Sequence, residues 1–148
     1  MRTHEWLAEE LKERELATDV ELNDDGAPGE DVWVIFFSLR TDNTENRLEN
    51  FQPETSSIVV MDNEVVEFDI RLGSWTTDDR DGEIQQIRDS ARRITRKHYV
   101  PVGRIDSGER HQFMPHIRLT HGEAHPELLV KFLEELVTEI EFLKNTAH

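Results

Sequence analysis

At 148 residues, 36% apolar and with a formal charge of −15, the chain is sized for one domain with its own core. It contains no Cys, which removes disulfides, thiolate nucleophiles and Cys-ligated metal centres. The acidity repels nucleic acid at low salt, and no run approaches the roughly 18 apolar residues of a membrane helix.

Residues 3–16 read as a short helix, with Thr3 as N-cap and Trp6, Leu7 and Leu11 near one face. Thr18 to Asn23 alternates as a weak strand, with Val20 and Leu22 on one side. Asp24-Asp25-Gly26-Ala27-Pro28-Gly29 is a turn. Val32 to Phe37 is apolar on both faces and predicts a strand covered on both sides. Residues 41–55 form a polar loop in which Leu48 and Phe51 lie as a lid over the core.

Ser56–Met61 and Val65–Leu72 predict two strands joined by an Asp62-Asn63 hairpin turn. Val66, Phe68, Ile70 and Leu72 would share one face, and Glu67, Asp69 and Arg71 the wet one. Ile84, Ile87, Ala91 and Ile94 repeat at helical spacing and give a helix over about 82–97. Val100–Ile105 and Gln112–Leu119 predict a second hairpin, whose Pro101 and Pro115 favour an edge position. The last helix begins at Pro126 and carries an apolar stripe of Leu129, Phe132, Leu133, Leu136, Ile140 and Leu143.

The expected fold is thus α+β: helix, an antiparallel meander of three to four strands, helix, β-hairpin and a long C-terminal helix, all in one domain. This order resembles the fold of type III secretion chaperones and of YbjN-like proteins. The resemblance spans nearly the whole chain, rests on element order alone and brings no motif residue with it. It implies a non-catalytic protein that dimerises and binds other polypeptides. The composition (20 Glu and 12 Asp against 13 Arg and 4 Lys) resembles proteins of salt-loving archaea. Concentrated salt screens surface carboxylates from one another, which makes such an acid load tolerable.

Several side-chain constellations have the composition of chemical sites. His111, His116, His121 and His125 fall within fifteen residues, and imidazoles are common transition-metal ligands. Gly122 and Pro126 argue against a helix that would aim His121 and His125 at one metal. On a strand, His111 and His116 would point to opposite faces, so surface and cap histidines are the simpler reading. Thr77 to Gly82 fits a calcium loop poorly: Thr77 replaces the first carboxylate and Arg88 stands where the bidentate Glu belongs. A solvated loop with Asp81 capping the next helix explains it better. Gly103 to Gly108 has the glycine spacing of a phosphate loop but lacks its Lys, and a hairpin turn accounts for both glycines.

Arg88, Arg92 and Arg96 form a ridge one helical turn apart, broadened by Arg93 and Lys97, and are candidates for binding an anion or an acidic partner. The competing role is to complement the helix dipole and nearby carboxylates. No nucleophile or acid–base pair stands out, and no catalytic residue, metal or cofactor is expected. Trp33, Phe36, Phe37, Trp75 and Tyr99 read as core aromatics, with Trp75 the one expected to be partly exposed.

The first expectation is therefore a non-enzymatic, chaperone-like adaptor in the cytoplasm, homodimeric and bound to a protein partner. The N-terminal stretch, which turns acidic at once and has no apolar leader region, agrees with that location. The second is a small metal-dependent enzyme or sensor using the His111–His125 stretch. The third is an anion- or nucleic-acid-binding regulator using the Arg88, Arg92, Arg96 ridge.

Overall fold

The computed structural model describes residues 1–40, 51–76 and 125–146, the backbone of 104–106, 112–113 and 116–119, and the single positions 82, 85, 86, 89, 92 and 93. The elements are α1 (Thr3–Glu13), β1 (Ala17–Asp24), β2 (Val32–Leu39), β3 (Thr55–Met61), β4 (Glu64–Arg71), β5 (Trp75–Thr76), β6 (Arg104–Asp106), β7 (Gln112–Phe113), β8 (His116–Leu119) and α2 (Pro126–Thr146). Helical backbone also occurs at Gln85, Gln86, Asp89, Arg92 and Arg93, inside the segment read as a helix. The fold is α+β, as the sequence implies.

Period-two alternation drives the sheet. Ile35, Phe37 and Leu39 on β2, Ile58 and Val60 on β3, and Phe68 and Ile70 on β4 are all buried. Antiparallel pairing puts partners such as Ile35, Ile58 and Phe68 on the same face. The sheet runs β1-β2-β3-β4-β8-β6, every pair antiparallel, and β5 pairs separately with β7. The predicted second hairpin is partly realised. Its first strand is β6, at the sheet edge, but its second divides into β7 and the internal strand β8.

Leu7 and Leu11 of α1, and Leu129, Phe132, Leu133 and Leu136 of α2, are fully buried in the same core cluster. Phe132 reaches Phe68 at a ring separation of 6.1 Å. The α2 stripe is wider than the spacing analysis drew it, because Val130 and Val137 are buried as well. Ile140 and Leu143 lie in α2, but their side chains fall outside the described residues. Arg14 joins the helices by pairing with Glu10 one turn back and with Glu134 on α2.

Two bulges interrupt the sheet, and the one on β4 corrects the sequence reading. On β4, Val59 pairs with Glu67 while Val60 pairs with Val65, so Val66 is the extra residue. Val65 therefore takes the buried place expected for Val66, and Phe68, Ile70 and Leu72 keep theirs. On β1 the register shifts between Thr18 and Glu21, with Asp19 at φ 54°. β1 is the edge strand, and a charged bulge there discourages pairing with another chain.

Helix α1 ends in a Schellman motif: Leu16 N–H donates to Leu11 O at 3.1 Å and Glu15 N–H to Lys12 O at 3.1 Å. Glu15, not a glycine, holds the left-handed position at φ 53°, so no local signal marks this end. At the other end Thr3 is the first helical residue and not the cap. Its N–H donates instead to Asn63 Oδ1 at 2.8 Å. Asp62 and Asn63 occupy the two positive-φ places of the expected β3–β4 turn, at 51° and 67°. One turn residue thus closes a hairpin and caps a helix sixty positions away.

Phe51 packs on the core beside Trp75, at a ring separation of 6.1 Å, as the lid reading expects. Leu48 lies outside the described residues. The Phe51 ring lies where a Cβ on Gly73 would sit, and Gly73 has φ 117°, so only glycine suits that position. Trp75, expected to be partly exposed, is only 3% exposed, because Phe51 and the Gln52–Ser74 bridge cover it.

Replacing Asn63 with Gly keeps the turn geometry and removes the cap. Urea denaturation should show a loss of about 1 kcal/mol, with Asp62→Gly close to neutral; equal effects would refute the capping role. Phe37→Ala should cost about 3–5 kcal/mol and Phe36→Ala roughly 1 kcal/mol, because only the former empties core volume. The same denaturation series measures both, and a reversed order would place the wrong face inward.

Candidate binding surface

Strand β2 is expected to be covered on both sides, and its outer face is covered only in part: Val34 is 8% exposed, whereas Phe36 stands out into solvent. Its outer face carries Val32, Val34 and Phe36, which pair with Met61, Val59 and Ser57 of β3. Phe36 is 37% exposed and Met61 43%. The result is an apolar strip two strands wide, formed by Val32, Val34, Phe36, Val59 and Met61. It follows from the same alternation that fills the core: a strand apolar at every position must present half of its residues outward.

Carboxylates border the strip on both sides. Across β1, Glu21 pairs with Phe36, and Asn23 with Val34. Across β4, Glu64 pairs with Met61, Glu67 with Val59 and Asp69 with Ser57. Asp69 is engaged by Arg71 at 3.3 Å, whereas Glu21, Glu64 and Glu67 are exposed and have no ion-pair partner among the described residues. Arg2 is committed to Asp31, Arg40 to Glu15 at 4.0 Å, and Arg93 to Glu135 at 3.6 Å.

Among the sequence candidates, His116 opens β8 opposite Arg71 and Asp106, and His125 is exposed just before α2, its carbonyl accepting from Leu129 N–H at 3.0 Å. That carbonyl contact is where a cap residue belongs. His111 and His121 lie outside the described residues, and among the described residues no three His, Asp or Glu groups converge on a metal position. Of the arginine ridge, Arg92 is exposed on helical backbone and its neighbour Arg93 reaches Glu135 of α2. Arg88 and Arg96 lie outside the described residues, as do 77–81 of the acidic loop and Gly103, Ser107 and Gly108. Among the described residues no helix is long and apolar enough to cross a membrane.

No family model matches this chain, and no curated protein or solved structure matches it either.

One buried titratable group escaped the sequence reading. His4 of α1 is 2% exposed and stacks on Trp33 at 4.2 Å, with ring planes 5° apart. Its Nδ1 has no hydrogen-bond partner, and its Nε2 is 3.7 Å from Glu5 Oε1. Asp31 organises the surroundings: it accepts from Trp33 Nε1 at 3.0 Å and pairs with Arg2. Burial, followed by the Arg2 charge, lowers the His4 pKa, against smaller upward pulls from Glu5, Asp31 and Asp24. A lone His in a charged N-terminal stretch carries no sequence signal of burial; the apolar phase of α1 through Leu7 and Leu11 is the one clue, since His4 shares that side.

Because the folded protein prefers neutral His4, the unfolded chain binds more protons below the ordinary value of 6.5. Stability should therefore be intact above about pH 7 and fall as pH drops from 6.5 towards the lowered value. In His4→Phe, which keeps a stacking ring, that part of the slope should vanish in urea titrations; an unchanged slope would assign the dependence to other groups.

Proposed function

We propose that this protein is a non-catalytic, chaperone-like adaptor that docks another polypeptide on the outer face of its sheet. The observation that carries the reading is the strip of Val32, Val34, Phe36, Val59 and Met61, with Phe36 and Met61 standing exposed. Exposed large apolar side chains gathered in one place mark interaction sites more often than isolated ones do. The opposite face is filled by α1 and α2, so the strip is not a gap in the core.

The described part of α2 uses its apolar stripe internally, which leaves the outer sheet face as the better surface for a partner, whether a different protein or a second copy. The bulged, charged β1 disfavours another common route, strand addition, at the edge next to the strip. An acid-rich composition with Arg over Lys supports a salt-rich cytoplasm as the setting.

A photo-crosslinking phenylalanine analogue placed at position 36, with a control at the exposed turn residue Ala27, tests the reading in cells of the host. Discrete adducts from position 36 that are absent from position 27 are expected. An adduct of twice the chain mass identifies a second copy as the occupant, and a heterologous mass a different protein. No adduct, or the same adducts from both positions, would overturn the proposal.

A further inference from the structure

We infer that the occupant of the outer face is a short basic amphipathic helix of another protein, with apolar residues along one side and Lys or Arg on both flanks; this rests on the docking reading above. Three features of the surface argue for it. Between β1 and β4 lie three strand spacings, so Glu21 and Glu67 stand about 14 Å apart across the strands. That matches a helix, about 10–12 Å wide with its side chains, whose cationic arms reach outward. Along the strands, Val32 to Phe36 spans roughly 13 Å, the rise of about nine helical residues. A helix over a sheet face is also the ordinary way to complete such a layer.

Charge supplies the second argument. Among the described residues Glu21, Glu64 and Glu67 have no ion-pair partner, so a cationic occupant would find these carboxylates open to pairing. A second copy is a poor occupant. Face-to-face stacking would oppose Glu21, Glu64 and Glu67 to one another on chains that each carry −15. An acidic helix would meet the same repulsion, and a basic segment without an apolar stripe would leave Phe36 and Met61 uncovered.

Size decides the strength. Five side chains make a strip well below a standard interface, so a dissociation constant on the order of micromolar is expected. Charge on the flanks speeds the encounter and orients the helix, while Phe36 supplies the anchor.

The experiment is fluorescence anisotropy with three labelled peptides of about 12 residues: a helix with a Leu/Phe stripe flanked by Lys, the same stripe flanked by Glu, and a scrambled form of the Lys peptide. The Lys-flanked helix should bind and the other two should not. Phe36→Ser should weaken binding roughly thirtyfold. Glu21→Gln with Glu67→Gln should weaken it about tenfold at roughly 50 mM salt and much less at about 1 M. Glu9→Gln with Glu13→Gln, which removes the same charge from the exposed side of α1, should leave binding unchanged.

Urea denaturation of each variant confirms that it folds. Equal binding of the scrambled peptide, or equal weakening by the α1 variant, would show bulk charge attraction and overturn the inference, as would absence of binding. In those cases position-36 crosslinks would still stand for a docking surface with another occupant. Crosslinks absent from position 36 would remove the docking reading itself.

Discussion

Phe68 on β4 and Phe132 on α2 meet at 6.1 Å where the sheet and helix layers touch, and the other elements are arranged to complete the burial around that contact. Each large side chain removed from water there contributes about 1.5–3 kcal/mol. Helix α1 extends the layer over β1 and β2 through Leu7 and Leu11. Neither helix could hold such a stripe in water alone, and the sheet could not bury Ile35, Ile58 and Phe68 without them. The Arg14 pairs with Glu10 and Glu134, between partly exposed carboxylates and a half-exposed guanidinium, set the helix ends beside one another and add little energy of their own.

Covering one face and not the other has a direct consequence. β2 is apolar on both sides from Val32 to Phe37, yet α1 and α2 protect only one, so Val34 and Val59 pack on neighbours in their own sheet while Phe36 and Met61 meet solvent. The α1 entrance repeats this economy. Asn63 serves both the β3–β4 turn and the helix cap, and Asp31 serves both Arg2 and the Trp33 indole that stacks on His4. The N-terminal helix is thereby fixed to the strands that bear the outer strip, and loss of its docking would reach that surface through Trp33.

Much of this architecture was legible in the sequence, because periodicity is a local signal. The two-residue Asp62-Asn63 turn, the strands on either side of it and the α2 stripe from Leu129 to Leu136 are all found where the spacing puts them. What escaped detection depends on contacts between distant residues. The bulge at Val66 changes the phase of β4 without any Gly or Pro to announce it. Glu15 takes a left-handed position that usually selects Gly, held there by the Leu16 return bond to Leu11. Trp75 is covered by Phe51, twenty-four positions earlier. The candidate surface was hidden for a related reason: an apolar run on β2 announces burial equally well whether its second face is covered by this chain or by another molecule.

Salt ties the composition to that surface. Near 1 M the screening length falls to about 3 Å, so Glu21, Glu64 and Glu67 lose their reach over a partner's cations, while the transfer of Phe36 and Met61 out of water does not depend on that reach. A dilute setting would make the flanks the main source of selectivity, through attraction of basic segments and repulsion of acidic ones. A concentrated one would shift selectivity to the shape of the strip, where an apolar stripe of the right width decides. For a chain with 32 acidic residues and 17 basic ones, the second regime would limit indiscriminate capture of cationic polypeptides. An exposed strip of modest size, framed by carboxylates that only short-range contacts can satisfy, is suited to reversible binding under that screening.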